Sequence, residues 1–155
     1  MMVEFASGSI DYLLYKLEEY NLYNNLIIEI LENESIIDFD LVRNFVEKMK
    51  SLGVRIAIDD FGSGYSNFNY ILELEPNFIK IDGSIIKKIH NCEKSFKITK
   101  AIVLFAKELN IKIIAEFIHN QNVYDKIFEL EVDGYQGYFF SEPIEDITNY
   151  NMGIK

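Results

Sequence analysis

Two hydrophobic rhythms share this chain. Short, largely apolar rows occupy residues 26–31, 54–58, 77–82, 111–116 and 134–138, and longer stretches between them repeat apolar residues every three or four positions. Rows of this length without polar alternation predict strands covered on both faces, as in a parallel sheet. The three-to-four spacing predicts helices over 9–20 (Ile10, Leu13, Leu14, Leu17), 38–52 (Leu41, Val42, Phe45, Val46, Met49), 67–74, 95–109 (Ile98, Ile102, Phe105, Ala106) and 121–130. Ser9 is placed to cap the first helix, Gly53 to stop the second and Pro76 to follow the third. Residues 21–25 read as a turn, 2–6 as a candidate edge strand, and the segment after Pro143 as a weak helix.

Strand and helix therefore alternate throughout, with no repeat, linker or low-complexity tract. That order implies parallel strands joined by right-handed crossovers. Polar residues recur where the strands should end: Glu29, Asp59 with Asp60, Lys80 with Asp82, Glu116, and Gln136. In a (β/α) barrel these ends share one mouth, where such barrels carry their chemistry. The pivotal stretch is the apolar row that runs into Asp59-Asp60 and then into Phe61-Gly62-Ser63-Gly64-Tyr65-Ser66, a loop that two glycines leave free to bend. Taken alone, Asp60 would cap a turn and Asp59 would pair with Lys80. Carboxylates recurring at several strand ends point further, because buried acids are costly unless something cationic lies between them.

Length and charge narrow the classes. A chain of 155 residues with 49% apolar content fits one domain with a real core. The formal charge of −10 argues against a nucleic-acid binder, which needs a basic surface. A small anionic ligand remains compatible if metal ions or a local Lys supply positive charge. The single cysteine, Cys92, excludes an internal disulfide and suits a reducing compartment. Neither a membrane-spanning apolar run nor a leader pattern is present, so a cytoplasmic location is expected.

The motifs resemble those of the EAL domain, the family of cyclic-di-GMP phosphodiesterases. Glu29-Ile-Leu-Glu32 is similar to the family's Glu-Leu-Thr-Glu, and Asp59-Asp60-Phe-Gly-Ser-Gly-Tyr-Ser to its Asp-Asp-Phe-Gly loop. Phe78-Ile-Lys80-Ile-Asp82 resembles its Leu-Lys-Ile-Asp strand, and Ala115-Glu116 the start of its Ala-Glu-Gly-Val-Glu. Asp133-Gly-Tyr-Gln136-Gly-Tyr, followed by Phe-Ser-Glu-Pro143, resembles its last strand and loop. The resemblance covers roughly residues 22–144. It implies Glu29, Asp59 and Asp60 as ligands of two Mg²⁺ or Mn²⁺ ions, with Asp59 bridging. It further implies Lys80 as a charge donor to water or phosphate, Glu116 as general base, and Asp82 and Gln136 on the substrate side. Glu32 with Phe61, Gly62, Ser63, Gly64, Tyr65 and Ser66 resembles the element that orders the metal site and a dimer contact.

Departures from the pattern shape the remaining expectations. No Glu-Ala-Leu tripeptide occurs in the chain, and the nearest counterpart of the family's Asn ligand is Glu4. Phe117-Ile118-His119 replaces Gly-Val-Glu, so His119 stands where a second carboxylate would, as a metal or phosphate partner or merely a solvated loop residue. Residues 1–155 thus read as a single partial EAL domain, an incomplete TIM-type (β/α) barrel of five or six strands; a closed barrel takes eight strands and about 250 residues. Two functions are compatible with this: a metal-dependent hydrolase opening cyclic-di-GMP to linear pGpG in the intact domain, or a degenerate module that binds cyclic-di-GMP or a protein without cleaving it. Open sheet edges further predict a homodimer or other self-association.

Overall fold

The computed structural model describes residues 7–31, 39–63 and 68–143, with side chains from residue 10 onward. The expected strand at 2–6 and helix after Pro143 lie outside the described residues. Helix α1 (Ser7–Tyr20) leads through a 3₁₀ turn at Tyr23–Asn25 into β1 (Ile27–Leu31), α2 (Phe39–Ser51) and β2 (Arg55–Phe61). There follow α3 (Phe68–Leu74), β3 (Phe78–Ile81), α4 (Gly83–Ile86), α5 (Glu93–Glu108), β4 (Lys112–Ala115), α6 (Gln121–Phe128) and β5 (Gly134–Tyr135). The five strands form one parallel sheet in the order β1-β2-β3-β4-β5, each new strand adding beside the last. Sequential parallel addition is the pattern of a (β/α) barrel wall.

Register decides what each face of the sheet carries. Glu29 lies opposite Ala57, Ala57 opposite Phe78, Phe78 opposite Lys112, and Lys80 opposite Ile114, which in turn faces Gly134. Because side chains alternate along a strand, one face holds Glu29, Ala57, Asp59, Phe78, Lys80, Lys112 and Ile114. The other face holds Ile56, Ile58, Ile79, Ile81, Ile113 and Ala115, none of them more than 0% exposed. Each of those isoleucines contributes about 1.5–3 kcal/mol by leaving water. Val42, Val46, Met49, Ile71, Leu74, Ile102, Ala106, Val123 and Ile127 from the helices complete this core. The site-bearing face is more open: Phe78 and Ile114 are half-buried and Lys112 is exposed.

Four helices close with a non-glycine residue in the left-handed region: Asn21 (φ 51°), Glu75 (φ 42°), Asn110 (φ 57°) and Glu131 (φ 53°). Only α2 uses glycine there, Gly53 at φ 90°. Behind these caps the backbone N–H of Leu22, Val54 and Ile111 donates to a carbonyl five residues back, the six-to-one bond of a Schellman ending. The chain is thereby turned sharply from each helix into the next strand. Asn77 and Asp133 then fix the strand starts. Asn77 Oδ1 accepts from Ile56 N at 2.8 Å, and Asp133 Oδ2 accepts from Ile113 N at 2.9 Å.

The elements differ from the sequence reading in several places. Leu41 and Ile98, expected inward, are 49% and 40% exposed, because they flank rather than face their helices' buried stripes. Strand β5 stops at Tyr135, not at 138, as the backbone leaves the ladder toward Gly137. Helix α4 was not anticipated; Asp82 starts it by accepting from Ser84 N at 2.9 Å.

Candidate functional site

Lys80 is the hub of the strand ends. Its side chain is 7% exposed, and its Nζ lies 3.0 Å from Glu29 Oε1, 3.0 Å from Asp59 Oδ1 and 3.0 Å from Glu116 Oε1. An ammonium has three N–H donors, so these carboxylates use all of them. Strands β1, β2, β3 and the end of β4 each supply one group, and all four sit on the same face of the sheet. Glu29 reaches this point from the middle of β1, opposite Ala57, rather than from the strand's end. Its side chain is 48% exposed, while those of Asp59 and Glu116 are 16% and 9% exposed. The simple pairing of Asp59 with Lys80 is therefore present, but as one arm of a four-residue cluster.

Adjacent strand residues ordinarily point to opposite faces, which would send Asp60 away from Asp59. The pairing of β2 with β3 shifts between Ile58 and Phe61: Ile58 faces Ile79 while Phe61 faces Ile81, so β2 carries one extra residue. This bulge is accompanied by Asp60 in the left-handed region, at φ 55°. Both aspartates can then serve one site. Ligand oxygens of Asp59, Asp60 and Glu116 all lie within 4.8 Å of one another. Glu29 joins this group through Lys80, and the charge of Asp82 acts on Asp60 from nearby.

The electrostatics are unbalanced. One ammonium faces Glu29, Asp59, Asp60 and Glu116, leaving three excess negative charges (four minus one) when all are ionised. Burial opposes the charge on Lys80, but the hydrogen bonds it donates to Asp59, Glu116 and Glu29 outweigh it and raise its pKa. Burial pushes the Glu116 carboxyl above the ordinary carboxylate range against the pull of Lys80, with Asp59 and Asp60 adding to the rise. Burial, then Asp59 and Asp82, raises Asp60 in the same direction. An oxygen-only, charge-deficient donor set of this kind fits a hard divalent cation.

The remaining candidate residues are distributed around this centre. Asp82 is committed to the α4 cap. Gln136 is exposed, its N–H donating to Ala115 O and its carbonyl accepting from Ile118 N. His119 is exposed, with Nδ1 3.1 Å from Phe117 O, and is not part of the acidic group. Phe61 is a correction to the expected loop: it ends β2, is 0% exposed and packs edge-on against Phe68 at 5.6 Å. Gly62 and Ser63 follow in the turn, Gly62 at φ 92°. Glu4, Glu32, Gly64, Tyr65 and Ser66 lie outside the described residues.

Comparison with known proteins adds to this geometry. The EAL domain family model matches residues 5–143. The chain belongs to the EAL domain family. It is 42% identical over 119 residues to cyclic di-GMP phosphodiesterase PdeA of Borreliella burgdorferi, an alignment covering 77% of this chain and 18% of that protein. Among solved structures it is similar to Klebsiella pneumoniae BlrP1 in a manganese/cyclic-di-GMP complex, with a TM-score of 0.82, 27% identity, and coverage of 90% of this chain and 36% of that one. The EAL domain of Mycobacterium smegmatis DcpA shares the fold at a TM-score of 0.83 and 24% identity, with 90% of this chain matching 63% of that one. The chain spans less than a fifth of the Borreliella relative and less than two thirds of the DcpA EAL domain. The five parallel strands are thus part of a TIM-type barrel, an incomplete one. Among the described residues, no helix is long and apolar enough to cross a membrane.

Proposed function

We propose that the Lys80 cluster is a phosphodiester-cleaving centre, which in the intact domain opens cyclic-di-GMP to linear pGpG with two divalent cations. The observation that carries this reading is the meeting of three carboxylates at 3.0 Å from one buried ammonium, with Asp60 alongside. The names of the Borreliella and Klebsiella relatives support the choice of ligand and of a divalent metal such as Mg²⁺ or Mn²⁺. Glu29, Asp59 and Asp60 would hold the cations. Bound there, divalent cations activate water and stabilise the oxygens of an in-line displacement.

The chain's own groups have definable tasks in that reaction. Water oxygen bonds to phosphorus, the bond from phosphorus to the 3′ oxygen breaks, and that oxygen takes a proton from solvent water to become the 3′ hydroxyl of the linear product. Glu116 takes the water's proton, its carboxylate standing 3.0 Å from Lys80 Nζ and beside Asp59 and Asp60. Lys80 offers a compact positive charge to the phosphate, released from one of its carboxylates. Gln136 and Asp82 would contact the substrate, Asp82 from its position at the cap of α4.

A second reading, a module that binds cyclic-di-GMP or a protein without cleaving it, is favoured by Lys80's three donors already being engaged. Incubating the 155-residue chain with cyclic-di-GMP and Mn²⁺, and separating nucleotides by chromatography, tests both. Slow pGpG formation abolished by Glu116→Gln supports the hydrolase. Binding without turnover supports the second reading, and neither binding nor turnover overturns both.

A further inference from the structure

Phe117 occupies an improbable place. It follows Glu116 directly, has φ 53°, and is 51% exposed. The left-handed region crowds a Cβ against the neighbouring carbonyl, so a bulky aromatic there is an outlier that surrounding structure must hold. The EAL pattern has glycine at this point, which needs no such support. Here the support is visible. The ring lies against Gly83 so closely that a Cβ on Gly83 would collide with it, and Lys87 Nζ stands 4.0 Å from the ring centroid.

Gly83 and Lys87 are four residues apart, so they belong to the same side of the α4 turn. The ring therefore meets both Gly83 and Lys87 while remaining 51% exposed. Its location is equally specific. Glu116, the residue before it, bonds Lys80 at 3.0 Å, and Gly83, against which the ring packs, directly follows Asp82, the cap of α4. The aromatic ring is thus held one residue beyond Glu116, against the start of α4.

We propose that the exposed part of the Phe117 ring is a stacking platform for one guanine base of the dinucleotide, a contact that adds affinity for the ligand. The inference rests on cyclic-di-GMP being the ligand. Every base has a π-face that an aromatic ring can receive, and the ring needs no hydrogen-bond partner to do so. Lys87 behind the ring contributes a cation–π contact that holds it in place.

The test is calorimetric titration of cyclic-di-GMP into the wild-type chain and into Phe117→Gly, Phe117→Leu and Phe117→Trp, with the melting temperature of each recorded. Phe117→Gly matches the family pattern and relieves the left-handed strain, so it retains the fold. The expected result is a loss of affinity of about 10-fold or more in Phe117→Gly and Phe117→Leu, with Phe117→Trp close to wild type. Mn²⁺ binding, titrated separately, should be the same in all four. Equal cyclic-di-GMP affinity in wild type and Phe117→Gly would overturn the platform and leave the ligand assignment standing. A wild-type chain that does not bind cyclic-di-GMP would overturn the ligand assignment, and the platform with it.

Discussion

Replacing Lys80 by Met removes the ammonium from three carboxylates while preserving most of the side chain's volume. Removing one partner from a buried ion pair typically costs about 3–5 kcal/mol, because the other charge stays buried and unpaired. The Glu29 arm adds little to this, since its side chain is 48% exposed and water can replace the lost bond. The cost lies with Asp59 and Glu116, at 16% and 9% exposure. The lower end of the range, about 3 kcal/mol, is the expected loss at neutral pH. For a chain of this size that corresponds to about 6–12 °C in melting temperature. Urea unfolding monitored by circular dichroism measures it, with m compared between variants to check two-state behaviour. Lys80→Met combined with Glu116→Gln should recover part of the loss, because one of the unpaired acids has gone. A loss below about 1 kcal/mol in the single variant, the range of exposed pairs, would falsify the claim that this cluster is a buried electrostatic unit.

Two further outcomes follow from the same structure. Glu116 has its folded pKa raised, so its favourable contribution is complete below the ordinary carboxylate value and is lost as pH rises through the raised value. Lowering the pH from 7 toward 4 should therefore stabilise wild type relative to Glu116→Gln; parallel stability–pH curves for the two would contradict this. Asp133→Ala removes the acceptor of Ile113 N at the start of β4, expected to cost about 1–3 kcal/mol because a buried N–H is left unpaired. Faster amide hydrogen exchange at Ile113 than at Ile79 in that variant would locate the effect.

Much of the molecule follows from short-range pattern. The isoleucine rows at 27–30, 56–58, 79–81 and 113–114 cannot remain in water and have the length of strands, and the helical stripes between them require crossovers. Parallel order, and polar groups gathering at one end, follow from that alternation. The aspartate pair, Lys80 and Glu116 were therefore recognisable as candidates before any coordinates, and the family motif named their roles. What local pattern does not contain is register. That Glu29 reaches Lys80 from mid-strand depends on Glu29 lying opposite Ala57, an alignment made by hydrogen bonds between segments far apart in sequence.

The bulge in β2 is likewise invisible in the row Ile56-Ala57-Ile58-Asp59-Asp60, where strict alternation would have separated the two acids. Phe61 reads as a loop residue because glycine follows it, yet the bulge turns it into the core. Phe117 reads only as a missing glycine, since nothing nearby in sequence announces Gly83 and Lys87 as its support. Sequence determines which segments must be buried, through periods of two and 3.6 that each segment carries by itself. Only the tertiary structure decides which side chains then meet, because that depends on long-range pairing and on one inserted residue.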